Sequence, residues 1–144
     1  MISESHLELV RTKGSKFGRV LMGLLFFVSG LSILLSPGGP TATAGYFTSL
    51  GVPVAGLLVW VVIALKLVAG GAIMIGKRTT EAAAALIVFT LIATLLAHLD
   101  FADPMQMTQA LKNLAIVGGL LYLMAFGPHG TNVLGDDPGE LTGK

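Results

Sequence analysis

The sequence has no cysteine, so it forms no disulfide, runs no thiol redox chemistry and holds no Cys-ligated metal or iron–sulfur centre. Charge is scarce as well. Only 12% of the 144 residues are Asp, Glu, Lys or Arg, about half the usage of an average soluble domain. With 53% hydrophobic residues and a mean hydropathy of +0.82, a soluble domain of this size would lack the polar cover its surface needs. Disorder is excluded on the same grounds. Nine Lys and Arg against eight Asp and Glu give a net charge of +1, too balanced for a nucleic-acid surface. His6, His98 and His129 stand far apart without metal-ligand spacing, and no ligand set for metal, haem or flavin is present. Trp60, Tyr46 and Tyr122 are too few for an aromatic cage. What remains is an all-α integral membrane protein.

Four apolar stretches each suffice for a helix of about 20 residues across a bilayer. The first runs from Phe17 to Leu35 and is broken by Ser36-Pro37-Gly38-Gly39-Pro40. The second opens near Pro53 and continues to Ile75 or Gly76, interrupted by one charge, Lys66. After the polar turn Lys77 to Glu81, a short third span covers Ala82 to Leu99. The fourth runs from Pro104 to Phe126. Asp103 stands as its N-cap, Pro104 in its first turn and Gln106 as a capping-box amide. The chain thus divides into an N-terminal segment (1–16), a four-helix transmembrane domain (17–127) and a flexible Gly/Asp/Pro-rich tail (128–144). The connection from Thr41 to Val52 suits a short helix lying on the membrane, with Tyr46-Phe47 as an interfacial anchor.

Orientation follows from the distribution of Lys and Arg. Arg11, Lys13, Lys16 and Arg19 precede or open the first span, and Lys77 and Arg78 fill the second connection. The first connection has no Lys or Arg, and the third is acidic. Both termini are expected in the cytoplasm. The first span also has the outline of a signal peptide, with Ala42-Thr43-Ala44 as a small-residue site, but Pro40 and the long gap after Leu35 make a poor cleavage region. No internal repeat aligns the two halves, which gives no support to an inverted-repeat transporter.

Small residues mark where helices come close in lipid. Gly23 and Gly30 share a face of span one, Ala93 and Ala97 a face of span three, and Gly70-Gly71 and Gly118-Gly119 lie mid-helix. Two features go beyond packing. Lys66 sits near the centre of span two, where a lysine costs at least about 2.5 kcal/mol to insert. About ten residues, or ~15 Å of helix rise, separate it from the nearer end, too far for the side chain to snorkel alone. No span holds an acid to pair with it. The second feature is a polar cluster at the opposite end: His98 and Asp100 closing span three, then Gln106, Gln109, Lys112 and Asn113 opening span four. Gln106, Gln109 and Asn113 share a helical face, and Lys112 is placed to reach Asp100 or Asp103. A polar vestibule is one expectation and an ordinary helix-end interface the other. His98 is a side chain able to carry a proton near neutral pH.

The motifs in order resemble the DoxX family of four-span membrane proteins. They are Ser29-Gly30-Leu31, Tyr46-Phe47-Thr48-Ser49-Leu50-Gly51-Val52-Pro53, Gly70-Gly71, Gly76-Lys77-Arg78-Thr79, His98, Lys112-Asn113-Leu114, Gly118-Gly119-Leu120-Leu121 and Gly127-Pro128. The resemblance covers Phe17 to Gly130. It implies a left-handed four-helix bundle in a bacterial-type plasma (inner) membrane, with a role beside redox chemistry. Relatives include the membrane subunit of a thiosulfate:quinone oxidoreductase. Two departures matter. Family members often carry a lysine just after the Ser-Gly of span one, where this chain has Ser32-Ile33, and a glutamate ahead of the Gly-Gly of span two, where it has Lys66. The implied lysine–glutamate pair is absent.

Three functions are therefore weighed. The first is a membrane subunit of a quinone-associated redox complex, non-catalytic alone, with a quinone-like ring between spans and electrons from a partner. The second is a structural or accessory subunit of a larger membrane assembly, in which Lys66 meets an acid or a lipid phosphate of a neighbour. The third is a small-solute transporter, for which four spans are few. Expected partners are membrane lipids with other membrane subunits or a second copy of the chain. No nucleic acid, metal or haem is expected.

Overall fold

The computed structural model describes residues 3–128, all of whose regular structure is helical. The elements are α1 (Glu4–Leu9), a π-helical turn (Val10–Gly14), α2 (Ser15–Leu35), α3 (Gly39–Ser49), α4 (Ala55–Ile75), α5 (Thr79–Ala97) and α6 (Pro104–Phe126). Four of the helical rods, Glu4–Leu35, Ala55–Ile75, Thr79–Ala97 and Pro104–Phe126, are long and apolar enough to cross a membrane. The expected tail lies outside the described residues, apart from Pro128.

The spans form a ring in which α2 packs on α4, α4 on α5, α5 on α6, and α6 meets α2 along the narrowest seam. The α2–α4 contact is the most extensive, and glycine explains it. A Cβ on Gly23 would stand 2.6 Å from the Gly70 carbonyl oxygen, and one on Gly70 2.8 Å from the Phe27 amide nitrogen. These backbones touch because neither side carries a side chain. Gly71 and Gly118, by contrast, meet only ordinary contact or open space.

The apolar core fills the half of the bundle nearer the chain termini. Phe26, Ala69, Ile73, Ala82, Ala83, Leu86, Leu120 and Leu123 form it. Toward the other end, Ala55, Val59 and Ile63 of α4 are also buried, and polar pairs between helices stand beside them. There α3 lies against α4 and α2, as the expected short helix of the first connection, with Tyr46 exposed on it.

Several boundaries differ from those expected. The segment ahead of span one is helical and runs into α2 through the π turn. Thr12 and Ser15 hydroxyls donate back to the carbonyls of Glu8 (2.8 Å) and Arg11 (2.5 Å) there, which serves carbonyls that a widened turn bonds poorly. Helix α4 starts two residues after Pro53, behind Val54 in the left-handed region (φ 47°). Helix α5 begins at Thr79 rather than Ala82, because Arg78 (φ 50°) turns the chain and pairs with Glu81 at 3.2 Å within the first turn. It ends at Ala97, not Leu99. Helix α6 has the expected bounds, and the Asp103 carboxylate accepts from the Met105 amide at 2.9 Å. Gln106 does not complete a capping box; its side chain is committed to His98.

Candidate functional site: an interior lysine and a polar seam

Lys66 leaves α4 and crosses to α2, where its Nζ donates to Ser29 Oγ at 2.9 Å. The same ammonium lies 5.1 Å from the centre of the Phe89 ring on α5. Gly30 makes this path possible. A Cβ there would come within 2.9 Å of Lys66 Cβ, so the lysine stem lies against bare α2 backbone. The lysine is therefore turned between α2 and α5 at mid-helix depth. An ammonium offers three donors and a ring face attracts it electrostatically. Ser29 takes one donor. The single ion pair among the described residues is Arg78–Glu81, at the surface, so no carboxylate neutralises Lys66 there.

The remaining candidates lie along the α5–α6 seam. His98 Nδ1 and Gln106 Oε1 are 2.6 Å apart. The amide oxygen only accepts, so Nδ1 carries the proton. One to two turns deeper, Asn113 Nδ2 donates to Thr94 Oγ1 at 2.9 Å. Thr94 donates in turn to the Thr90 carbonyl, and buried Thr90 to the Leu86 carbonyl, both at 2.7 Å. Each hydroxyl thus finds a partner inside the seam, as groups without water require. Gln109 accepts from Lys112 Nζ. Lys112 was expected to reach Asp100 or Asp103, but those exposed carboxylates close their own turns. Asp100 accepts from the Ala102 amide at 3.2 Å, and Asp103 caps α6.

The seven candidates thus do not form one site. Lys66 belongs to a site shared by α2, α4 and α5. His98, Gln106 and Asn113 bridge the α5–α6 seam, Gln109 and exposed Lys112 pair with each other on α6, and Asp100 stands apart on the loop.

Arg19 was counted from the sequence only as a flanking charge. It is in fact the tie at the terminal end of the bundle. Its Nη2 donates to the Met74 carbonyl at 3.3 Å and its Nη1 to the Pro128 carbonyl at 3.4 Å, joining α2 to the ends of α4 and α6. These carbonyls sit at the negative ends of two helices, where a cation is favoured. Gly76 ends α4 in the left-handed conformation (φ 79°), and its Lys77 neighbour donates back to Ala72 as in a Schellman turn. The guanidinium occupies the space that a Gly76 Cβ would need. Glycine is required there twice over. The signal in the sequence was Gly76 itself, a helix-ending glycine across from an arginine one turn inside span one.

Residues 14–99 match the family model described as DoxX. That stretch includes Arg19, Ser29, Lys66, Gly76, Phe89 and His98, and stops before α6. The chain is also 35% identical over 115 residues to Inner membrane protein YqjF of Escherichia coli (strain K12), over 80% of this chain and 85% of that protein. No solved structure matches.

Proposed function

The chain belongs to the DoxX family of membrane proteins, and on that premise we propose that it is the membrane subunit of a quinone-associated redox complex in a bacterial-type inner membrane. The observation that carries this is the Lys66 ammonium held between Ser29 and the Phe89 ring with no acid beside it. A quinone-like ring supplies two-electron acceptance together with oxygens that gain negative charge. Lys66 has donors left for such an oxygen, and a fixed cation in a site poor in water stabilises charge as it develops. Ser29 and the Phe89 ring keep the ammonium in place. These residues fit a planar acceptor of that kind.

Electrons come from a partner protein, because the sequence has no ligand set of its own for haem or an iron–sulfur centre. Both termini, with Arg11, Lys13, Lys16, Lys77 and Arg78, lie on the cytoplasmic side by their charge. His98, paired with Gln106, closes α5 at the far end.

The accessory-subunit reading asks for a Lys66 that faces outward to meet a neighbour. Its contacts with α2 and α5 weigh against that. Purification in mild detergent, followed by mass spectrometry of all proteins and lipid-soluble molecules that accompany the chain, separates the two. Quinone in stoichiometric amount is expected. Fixed partner proteins without any quinone would make the chain an assembly subunit.

A further inference from the structure

Glycine does opposite things on the two sides of α2. Against α4, Gly23 brings backbones into contact. Against α6, Gly14, Gly18, Gly119 and Gly127 border a cavity of about 330 Å³ at the terminal end of the bundle. A Cβ on Gly18 would meet nothing within 4 Å. Gly18 hollows the seam, whereas Gly119 makes room for the end of the Met22 side chain, whose Cε would lie 2.5 Å from a Cβ there. Met22, Leu123 and the tilted Tyr122–Phe126 pair, with ring centres 4.3 Å apart, give the hollow an apolar lining. Among the described residues, its one charged lining residue is Arg19.

That arginine has capacity to spare. Among the described residues, both of its hydrogen bonds are long, both go to neutral carbonyls, and its buried Nε has no partner. No carboxylate pairs with it among the described residues. Arg11, Lys13 and Lys16 add positive charge on the helix that forms one wall. A void of this size beside lipid does not stay empty, and its occupant meets hydrocarbon lining along most of its length and cationic groups at one end.

The geometry points to a site for one anionic phospholipid in the α2–α6 seam, with its phosphate on the Arg19 guanidinium and an acyl chain over Met22, Gly119 and Leu123. Planar guanidinium donors suit phosphate oxygens, and basic groups just inside the cytoplasmic interface attract anionic headgroups. The lipid completes the wall where the helix ring closes most narrowly. This site does not depend on any role for Lys66.

The test is native mass spectrometry of the full chain, delipidated in detergent and titrated with phosphatidylglycerol, phosphatidylcholine or inorganic phosphate. Phosphatidylglycerol is expected to bind about tenfold tighter than phosphatidylcholine, whose choline cation offsets the phosphate charge that both lipids carry, with no retention of inorganic phosphate. Arg19→Gln should erase that preference. Because Arg19 also ties helices together, Gly18→Leu serves as the second variant. Its side chain enters open space, so thermal stability should hold while binding of phosphatidylglycerol falls by a similar factor. Equal binding of the two lipids, binding of phosphate alone, or undiminished phosphatidylglycerol binding in Gly18→Leu would each overturn the site.

Discussion

Lys66 and Ser29 hold one another across the α2–α4 interface, Nζ to Oγ at 2.9 Å, beside a glycine that lets the lysine stem lie against the facing backbone. A charge in that position is an expense for folding and insertion, unless something binds it. Lys66→Leu is accordingly expected to insert as well as the parent chain or better, since a central lysine opposes insertion by at least about 2.5 kcal/mol. Glycosylation-based insertion assays check this. Poorer insertion of the leucine variant would make Lys66 a structural residue.

The Gly23–Gly70 contact predicts a sharp contrast between glycines. Gly23→Val or Gly70→Val forces backbones apart and is expected to cost about 2–4 kcal/mol, in the range of core overpacking and lost packing. Gly118→Ala meets open space and should be neutral or stabilising by up to about 1 kcal/mol through helix propensity. Thermal unfolding in one detergent compares them.

At the terminal end, Gly76→Ala is expected to destabilise by about 1–3 kcal/mol, since it combines a strained left-handed residue with displacement of Arg19. Arg19→Lys should recover little, because a lysine has no planar fork to span the Met74 and Pro128 carbonyls. If Gly76→Ala were fully stable, the tie between α2, α4 and α6 would have no energetic weight.

In the α5–α6 seam, Asn113→Ala and Thr94→Val should couple. A membrane hydrogen bond of this kind averages about 0.6 kcal/mol in double-mutant cycles, so the double variant should be less destabilised than the sum of the singles by about that amount. Strict additivity would mean that the 2.9 Å contact does not hold the helices together.

The spans were legible in the sequence because hydropathy and length decide them, and the start of α6 because Asp103-Pro104 is a local signal. The spacing of Gly23 and Gly30 likewise gave the α2 face that meets α4. What could not be read was the partner of each polar side chain. Gln106 stands three residues after its N-cap and looks like a capping amide, yet His98 lies across the loop and competes for it. Lys112 has two acids within apparent reach, but both are occupied by turn amides and the lysine turns to Gln109. The importance of Arg19 rests on two helix ends brought together from distant parts of the chain. Such facts depend on tertiary placement, which no local spacing encodes.

The proposed service of Lys66 to a bound quinone is tested by the quinone content of the purified chain measured against Lys66→Leu. Close to one quinone per parent chain is expected, with a loss of about tenfold or more in the variant, the scale of one charged hydrogen bond withdrawn. Equal quinone content in the two, or none in either, would contradict it.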